Sequence, residues 1–263
     1  MRRASSLVVL AGCNQVFGSS EVSRFDAQIF DAVDAATSCP AGAPSFSRDF
    51  DQLVVVTCDS LTVAGEMMLG LCGTGANRGV RYGPIGSDLV DQPDLLLNTQ
   101  FQPRLSHDGQ RVSFGLTDMQ GTTFYVFHLA GASWVRDANI VTDVAMSHTA
   151  SEISNGPNAR VLVQLGDGVH EFSERNGWVD LGLTSLTLTP FAVDELHLSA
   201  DALRAWYFTS PEVDYFDRAD LASAFTPHGK IGGTNGILDL AMREDCGEIF
   251  FSASNRIWTS QRI

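Results

Sequence analysis

With 263 residues, 44% of them apolar, the chain can bury one substantial core, and all-β folds of this length commonly form a single domain. Its 17 Lys and Arg stand against 31 Asp and Glu, a net charge of −14. So acidic a surface repels phosphate backbones and argues against nucleic acid as a partner. The chain also holds no apolar run near the 18 residues that a membrane-spanning helix needs.

The chain begins Met1-Arg2-Arg3, then runs through Leu7-Val8-Val9-Leu10 to Ala11-Gly12-Cys13. A basic start, a short apolar run and small residues before a cysteine resemble a bacterial lipoprotein signal, with Leu10 to Cys13 as the lipobox. The resemblance implies cleavage before Cys13 and diacylation of Cys13, and two acyl chains anchor a protein where one is marginal. Asn14 is not the aspartate that resembles an inner-membrane retention signal, so the implied place is the outer membrane, facing the periplasm. A chance match in a cytoplasmic protein is the alternative, because the apolar run is shorter than usual. Residues 14–38 are acidic and rich in Ala, Asp and Ser, which reads as a tether. Two other readings stand beside it. Val22, Phe25, Ile29 and Val33 keep helical spacing, and Gln28 to Val33 could supply an outer strand to the last unit of the fold. The expected organisation is a signal at 1–13, a tether at 14–38 and one domain at 39–263.

Within that domain a pattern recurs: a short apolar strand, a Ser-x-Asp turn and a second apolar strand. It is clearest at Pro103-Arg104-Leu105-Ser106-His107-Asp108-Gly109-Gln110-Arg111-Val112-Ser113-Phe114. It returns at Leu198-Ser199-Ala200-Asp201, at Met242-Arg243-Glu244-Asp245 with Arg243 in place of the Ser, and near the start at Phe46-Ser47-Arg48-Asp49. A worn copy begins at Ala145-Met146-Ser147-His148 and resumes at Arg160. The turn aspartates Asp49, Asp108, Asp201 and Asp245 follow at intervals of 59, 93 and 44 residues, the middle one spanning two units. Trp134-Val135 and Trp178-Val179 keep the same period. Ser and Asp side chains at such a turn bond nearby backbone N–H groups, and Gly tolerates positive φ. Gly109 is the only glycine at its position; Phe50, Ala202 and Cys246 replace it, so those turns adopt another geometry or carry strain.

The segment Pro103 to Phe114, followed by the strand Phe124 to Leu129, resembles the TolB-type (WD40-like) β-propeller repeat. The resemblance implies an all-β propeller of four-stranded blades, and the length available predicts five blades, with six as the rival. It implies little about activity, since relatives include periplasmic binding and scaffold proteins, sugar-active lyases and peptidase accessory domains.

Apart from Cys13, the cysteines number four and allow three pairings. The favoured one joins Cys58 to Cys72 across the first blade and Cys39 to Cys246 at the closure of the ring, in an oxidising compartment. No Cys-x-x-Cys or Asp-x-Asp-x-Asp-Gly occurs, so no metal or cofactor is expected. His107 and His148 follow the turn Ser of successive units and read as exposed turn residues rather than ligands. His170 with Glu171, and His197 with Asp194 and Glu195, read as ordinary strand or loop residues. Gly232-Gly233-Thr234-Asn235-Gly236 lacks the lysine of a phosphate loop and reads as a connection. Trp206-Tyr207-Phe208 and Tyr215-Phe216 could stack on a sugar but read as packing. There is no Gly-x-Ser-x-Gly or His-Glu-x-x-His.

The expected function is therefore a non-catalytic, membrane-anchored module binding a protein or an envelope polymer through its loops. The alternative is a polysaccharide-active lyase or hydrolase with its site at the central channel. Polar residues from three or more blades converging there, with shifted pKa values, would favour the enzyme. An exposed apolar patch would favour the binding module.

Overall fold

A computed structural model of the chain describes residues 39, 41–54, 58–74, 78–95, 102–118, 121–142, 149–175, 177–186, 195–209, 212–233, 239–253 and 256–263. All of them lie within the unit Thr37–Ile263. Strand β1 (Asp51–Val54) comes first in the chain but belongs to the last blade. Blade 1 is β2 (Cys58–Ala64), β3 (Met67–Cys72), β4 (Gly79–Pro84) and β5 (Val90–Asp91). Blade 2 is β6 (Arg104–Leu105), β7 (Arg111–Asp118), β8 (Gly121–Ala130) and β9 (Ser133–Thr142). Blade 3 is β10 (Arg160–Leu165), β11 (Gly168–Glu174) and β12 (Trp178–Leu183), with Ala150 bridging Val163 where the innermost strand belongs. Blade 4 is β13 (Leu196–Leu198), β14 (Arg204–Thr209), β15 (Glu212–Asp217) and β16 (Thr226–Lys230). Blade 5 is β17 (Ala241–Met242), β18 (Glu248–Ala253), β19 (Arg256–Gln261) and, paired antiparallel to β19, strand β1. The fold is a five-bladed β-propeller.

The core is divided into five wedges, one between each pair of adjacent blades, because both faces of an inner strand pair are covered by neighbouring sheets. Leu61, Val63 and Met68 meet Phe250 and Ile257 between blades 1 and 5. Leu69, Leu71 and Val80 meet Val112 and Phe114 between blades 1 and 2. Phe124 and Val126 meet Ile153, Val161 and Val163 between blades 2 and 3. Leu162 and Val169 meet Leu198, Ala205 and Tyr207 between blades 3 and 4. Trp206, Phe208 and Tyr215 meet Met242, Ile249 and Phe251 between blades 4 and 5.

The Ser-x-Asp turns join the innermost strand to the second strand of a blade. Ser106 Oγ accepts from Arg111 N at 2.8 Å and donates to Asp108, which accepts from Gln110 N at 2.9 Å. Ser199 and Asp201 repeat this with Arg204 N and Leu203 N, both at 2.9 Å. In blade 5 Asp245 accepts from Gly247 N at 2.8 Å. The fourth turn position, after the aspartate, is left-handed each time: φ is 69° at Gly109, 58° at Ala202 and 55° at Cys246. Two L-residues thus hold a conformation that disfavours a side chain by roughly 1–2 kcal/mol. Ala202→Gly should relieve that strain and leave the protein as stable as before or up to about 1 kcal/mol more so. A urea titration showing a loss above about 1 kcal/mol would mean that the buried Ala202 methyl outweighs the strain.

Three features differ from the sequence reading. Ser47 and Asp49 do not form an inner turn: Asp49 N bonds Ser47 Oγ at 3.0 Å just ahead of β1, and the turn of blade 1 is Gly65-Glu66. The worn copy at Ala145 to His148 lies outside the described residues, while the serine that acts as Ser106 does in blade 3 is Ser154, accepting from Arg160 N at 2.8 Å. Gln28 to Val33 also lies outside them, and the closing strand is β1 instead. Its approach is fixed by Phe46 N to Gly232 O at 2.9 Å and Ile263 N to Ser45 O at 3.0 Å. A Cβ on Gly233 would sit 2.2 Å from Phe46 O, so this crossing requires glycine. Two disulfides join Cys58 to Cys72, cross-strand partners in β2 and β3, and Cys39 to Cys246 in the turn of blade 5.

Candidate functional site

Two places in the ring concentrate polar chemistry: the axis, and a cleft between blades 3 and 4. At the axis every blade contributes its innermost segment, a strand in all but blade 3. The polar side chains there are Ser60 and Thr62 from blade 1, Gln102 and Arg104 from blade 2, Glu152 from blade 3, Glu195 and His197 from blade 4, and Asp239 from blade 5. Ser60, Thr62, Arg104, Glu152, Glu195, His197 and Asp239 are all between 0% and 5% exposed.

His197 ties the cluster together, with Nδ1 2.8 Å from Glu152 Oε1 and Nε2 3.4 Å from Glu195 Oε2. Its ring lies flat on Trp206, centroids 5.3 Å apart. Arg104 Nη2 sits 3.7 Å from Glu195 Oε1 and donates to Gln102 Oε1 at 2.7 Å. The carboxylates also reach the next blade's backbone. Glu152 accepts from Leu198 N at 3.2 Å, Glu195 from Leu240 N at 3.3 Å and Asp239 from Leu61 N at 3.5 Å, while Thr62 Oγ1 accepts from Leu105 N at 2.9 Å. Each such bond crosses a blade boundary, so the axial residues clasp adjacent blades.

Burial alone would raise Glu152, but the charge and hydrogen bond of His197, with Arg104 beyond, hold it at about 2. Glu195 is likewise lowered against its burial, first by Arg104 and then by His197. Burial opposes the charge on His197, yet Glu152 overcomes it and the imidazole pKa is raised. Asp239 goes the other way: burial and the facing Glu195 charge push it well above the usual carboxyl range. Asp239 and Glu195 therefore share one proton, as paired carboxyls do.

The pH dependence follows. Glu152 contributes stability that is complete above 4.5 and is lost as pH falls through about 2. The His197 contribution is complete below 6.5 and is lost as pH rises through its raised folded value. Asp239 keeps its proton in the folded state after the unfolded chain has lost it, so its contribution falls as pH climbs above 3.8. Asp239→Asn keeps the Oδ1 acceptor and removes that penalty. Its melting temperature relative to the wild type should rise as pH climbs above 3.8 and level off once Asp239 has ionised in the folded wild type; a difference independent of pH would contradict the shared proton.

Several residues behave differently from the sequence reading. His107 is not an exposed turn residue: it is buried, its Nε2 lies 2.5 Å from Leu198 O, and its Nδ1 lies 3.8 Å from Glu244. His107 N also bonds Ile153 O at 3.1 Å and Asn155 N bonds Ala200 O at 2.8 Å, so the inner turns of blades 2, 3 and 4 meet. His148 and Asp194 lie outside the described residues. His197 and Glu195 are central rather than ordinary. Trp206, Tyr207, Phe208, Tyr215 and Phe216 are buried and serve packing. Arg104, Glu152 and Asp239 went unnoticed. The signal for them was position: Arg104, Glu152 and His197 each stand two residues before the turn serines Ser106, Ser154 and Ser199, while Asp239 stands four before the turn residue Arg243, as Glu195 does before Ser199.

The second place is a cleft of about 550 Å³ between blades 3 and 4. Its floor is Arg160, Glu171 and Arg218. Arg218 grips Glu171 with both Nη atoms at 2.8 and 2.9 Å, gives Nε to Ala202 O at 2.9 Å, and lies over the Phe225 ring at 4.4 Å. Arg160 Nη1 reaches the same carboxylate at 3.4 Å. The walls are Leu181, Leu183, Leu221 and Phe225. Pairing between β11 and β12 shifts register between His170 and Phe172, so Leu181 and Gly182 form a bulge opposite Glu171 beside the cleft. Among the described residues, no group of three or more His, Cys, Asp or Glu is placed to hold a metal ion.

The molecule is thus a propeller with a charged, closed axis and an open, partly apolar side cleft. No family model matches its sequence, and no curated protein matches it. Solved structures do. A protein from Lactobacillus plantarum is 14% identical with a TM-score of 0.42, over 78% of this chain and 70% of that one. A functionally unknown protein from Desulfotomaculum acetoxidans is 11% identical with a TM-score of 0.46, over 75% and 65%. The Dos1 propeller is 10% identical with a TM-score of 0.44, over 78% of this chain and 54% of the other.

Proposed function

We propose that this protein is a TolB-type propeller lipoprotein, anchored through Cys13 to the outer membrane, which binds a protein or an envelope polymer without transforming it. The observation that carries binding is the outer strand of blade 3. Val179, Leu181 and Leu183 are 48%, 46% and 61% exposed there, and Leu221 across the cleft is 43% exposed. Large apolar side chains grouped around one cleft, on a chain of net charge −14, mark a surface meant to be covered.

The axis supports catalysis less well, although four blades bring titratable groups to it. Its carboxylates and imidazole are each engaged by another protein atom and all but sealed from solvent, so a substrate would have to break the clasps that join the blades.

The test is capture from crosslinked membranes by the anchored protein, beside the variants Leu181→Asp with Leu183→Asp, and Cys13→Ser. A partner captured by the wild type should be lost or reduced at least about tenfold with the double variant, which places two charges on the β12 wall of the contact. Cys13→Ser should release the protein from the membrane. Undiminished capture by the double variant would remove the cleft from the binding surface.

A further inference from the structure

One guanidinium on the floor of the blade 3–4 cleft, that of Arg160, is incompletely hydrogen-bonded. Two guanidiniums face one carboxylate, and Arg218 holds both of its oxygens at 2.8 and 2.9 Å, the closer of the two pairings. Arg160 is left with a single long approach of 3.4 Å to Glu171, and its Nε has no hydrogen-bond partner although the residue is only 7% exposed. A buried cation lacking its complement is costly to a fold unless something supplies the missing charge. The same cavity is lined by Leu181, Leu183, Leu221 and Phe225, which offer dispersion contact, beside Thr184, Ser185 and Ser223.

We infer that this cleft is a binding site for an aliphatic monocarboxylate, its carboxylate paired with Arg160 and its hydrocarbon body laid along Leu181, Leu183 and Leu221. Guanidinium and carboxylate are matched in geometry, which a point-charge ammonium would not be. A cavity of about 550 Å³ is ample for a chain of several carbons. The bulge at Leu181-Gly182 matters here, because it spoils the outer edge of β12 for pairing with another strand and leaves the cleft to a ligand rather than to an added strand. This inference rests on the binding role proposed for the same surface and names the chemistry that the surface accepts.

Calorimetric titration of the folded protein with octanoate, acetate, 1-octanol and octyltrimethylammonium tests it. Octanoate should bind at one site per chain. Acetate lacks the body, octanol lacks the charge and the ammonium carries the wrong sign, so each should bind at least about tenfold more weakly. Arg160→Gln leaves the Arg218–Glu171 pair intact and should weaken octanoate at least about tenfold, with Arg160→Lys falling between. Should Arg160→Gln fail to fold, Leu183→Asp and Leu221→Asp, both at exposed positions, should weaken octanoate to a similar degree. The inference is overturned if octanol binds as well as octanoate, if Arg160→Gln binds like the wild type, or if octanoate does not bind. Loss of membrane-partner capture by the Leu181 and Leu183 double variant, with no octanoate binding, would overturn the anion and leave the binding role standing.

Discussion

Glu195→Ala is expected to destabilise the protein by about 3–5 kcal/mol, the cost of removing one partner from a buried charge network. Four groups lose their acceptor at once: Arg104 at 3.7 Å, His197 at 3.4 Å, Ser60 Oγ at 3.4 Å and Leu240 N at 3.3 Å. A domain stable by 5–15 kcal/mol spends a large share of that margin, and the urea midpoint should fall accordingly. Glu195→Gln separates charge from hydrogen bonding. It keeps an acceptor for Leu240 N, costs less than the alanine variant, and removes the charge that helps hold Asp239 protonated, so the Asp239 pKa should drop toward its ordinary value. A loss below about 1 kcal/mol for Glu195→Ala would show that the axial groups do not join the blades.

Cys39→Ser should cost about 2–5 kcal/mol under oxidising conditions, since the bond to Cys246 spans 207 residues and restrains the unfolded chain strongly. Most of the effect should disappear when wild type and variant are compared in reductant. Cys58→Ser opens a loop of only 14 residues and should cost less. A smaller penalty at Cys39 than at Cys58 would mean that native-state geometry, not chain restraint, governs both. Cys39 and Cys246 are also both buried in the wedge between blades 4 and 5, so the serine variants lose a little packing in either redox state.

How much of this was readable differs by feature, and for physical reasons. The turns at Ser106 and Ser199 could be read because each satisfies itself within five residues, so sequence and structure carry the same local information. Ser154 escaped because Gly156, Pro157 and Asn158 lengthen its turn, placing the serine six residues from Arg160 instead of five. The axial residues escaped because β6 and β17 are two residues long, too short for a period of two to show, although Gln102 with Arg104 and Glu195 with His197 do alternate. Glu171 and Arg218 lie 47 residues apart on different blades, and the bulge beside the cleft depends on pairing between strands. Nothing local announces such a site.

The position of Cys39 also decides how the ring answers to force. A pull on the chain ahead of Cys39 is carried through sulfur into the turn of blade 5 and stops there. Strand β1, whose hydrogen bonds to β19 could otherwise be peeled off one at a time, lies beyond that knot and feels no tension. Reduction moves the load onto those few bonds, so the thiol state of one pair determines whether the circle can be unzipped by its leading end.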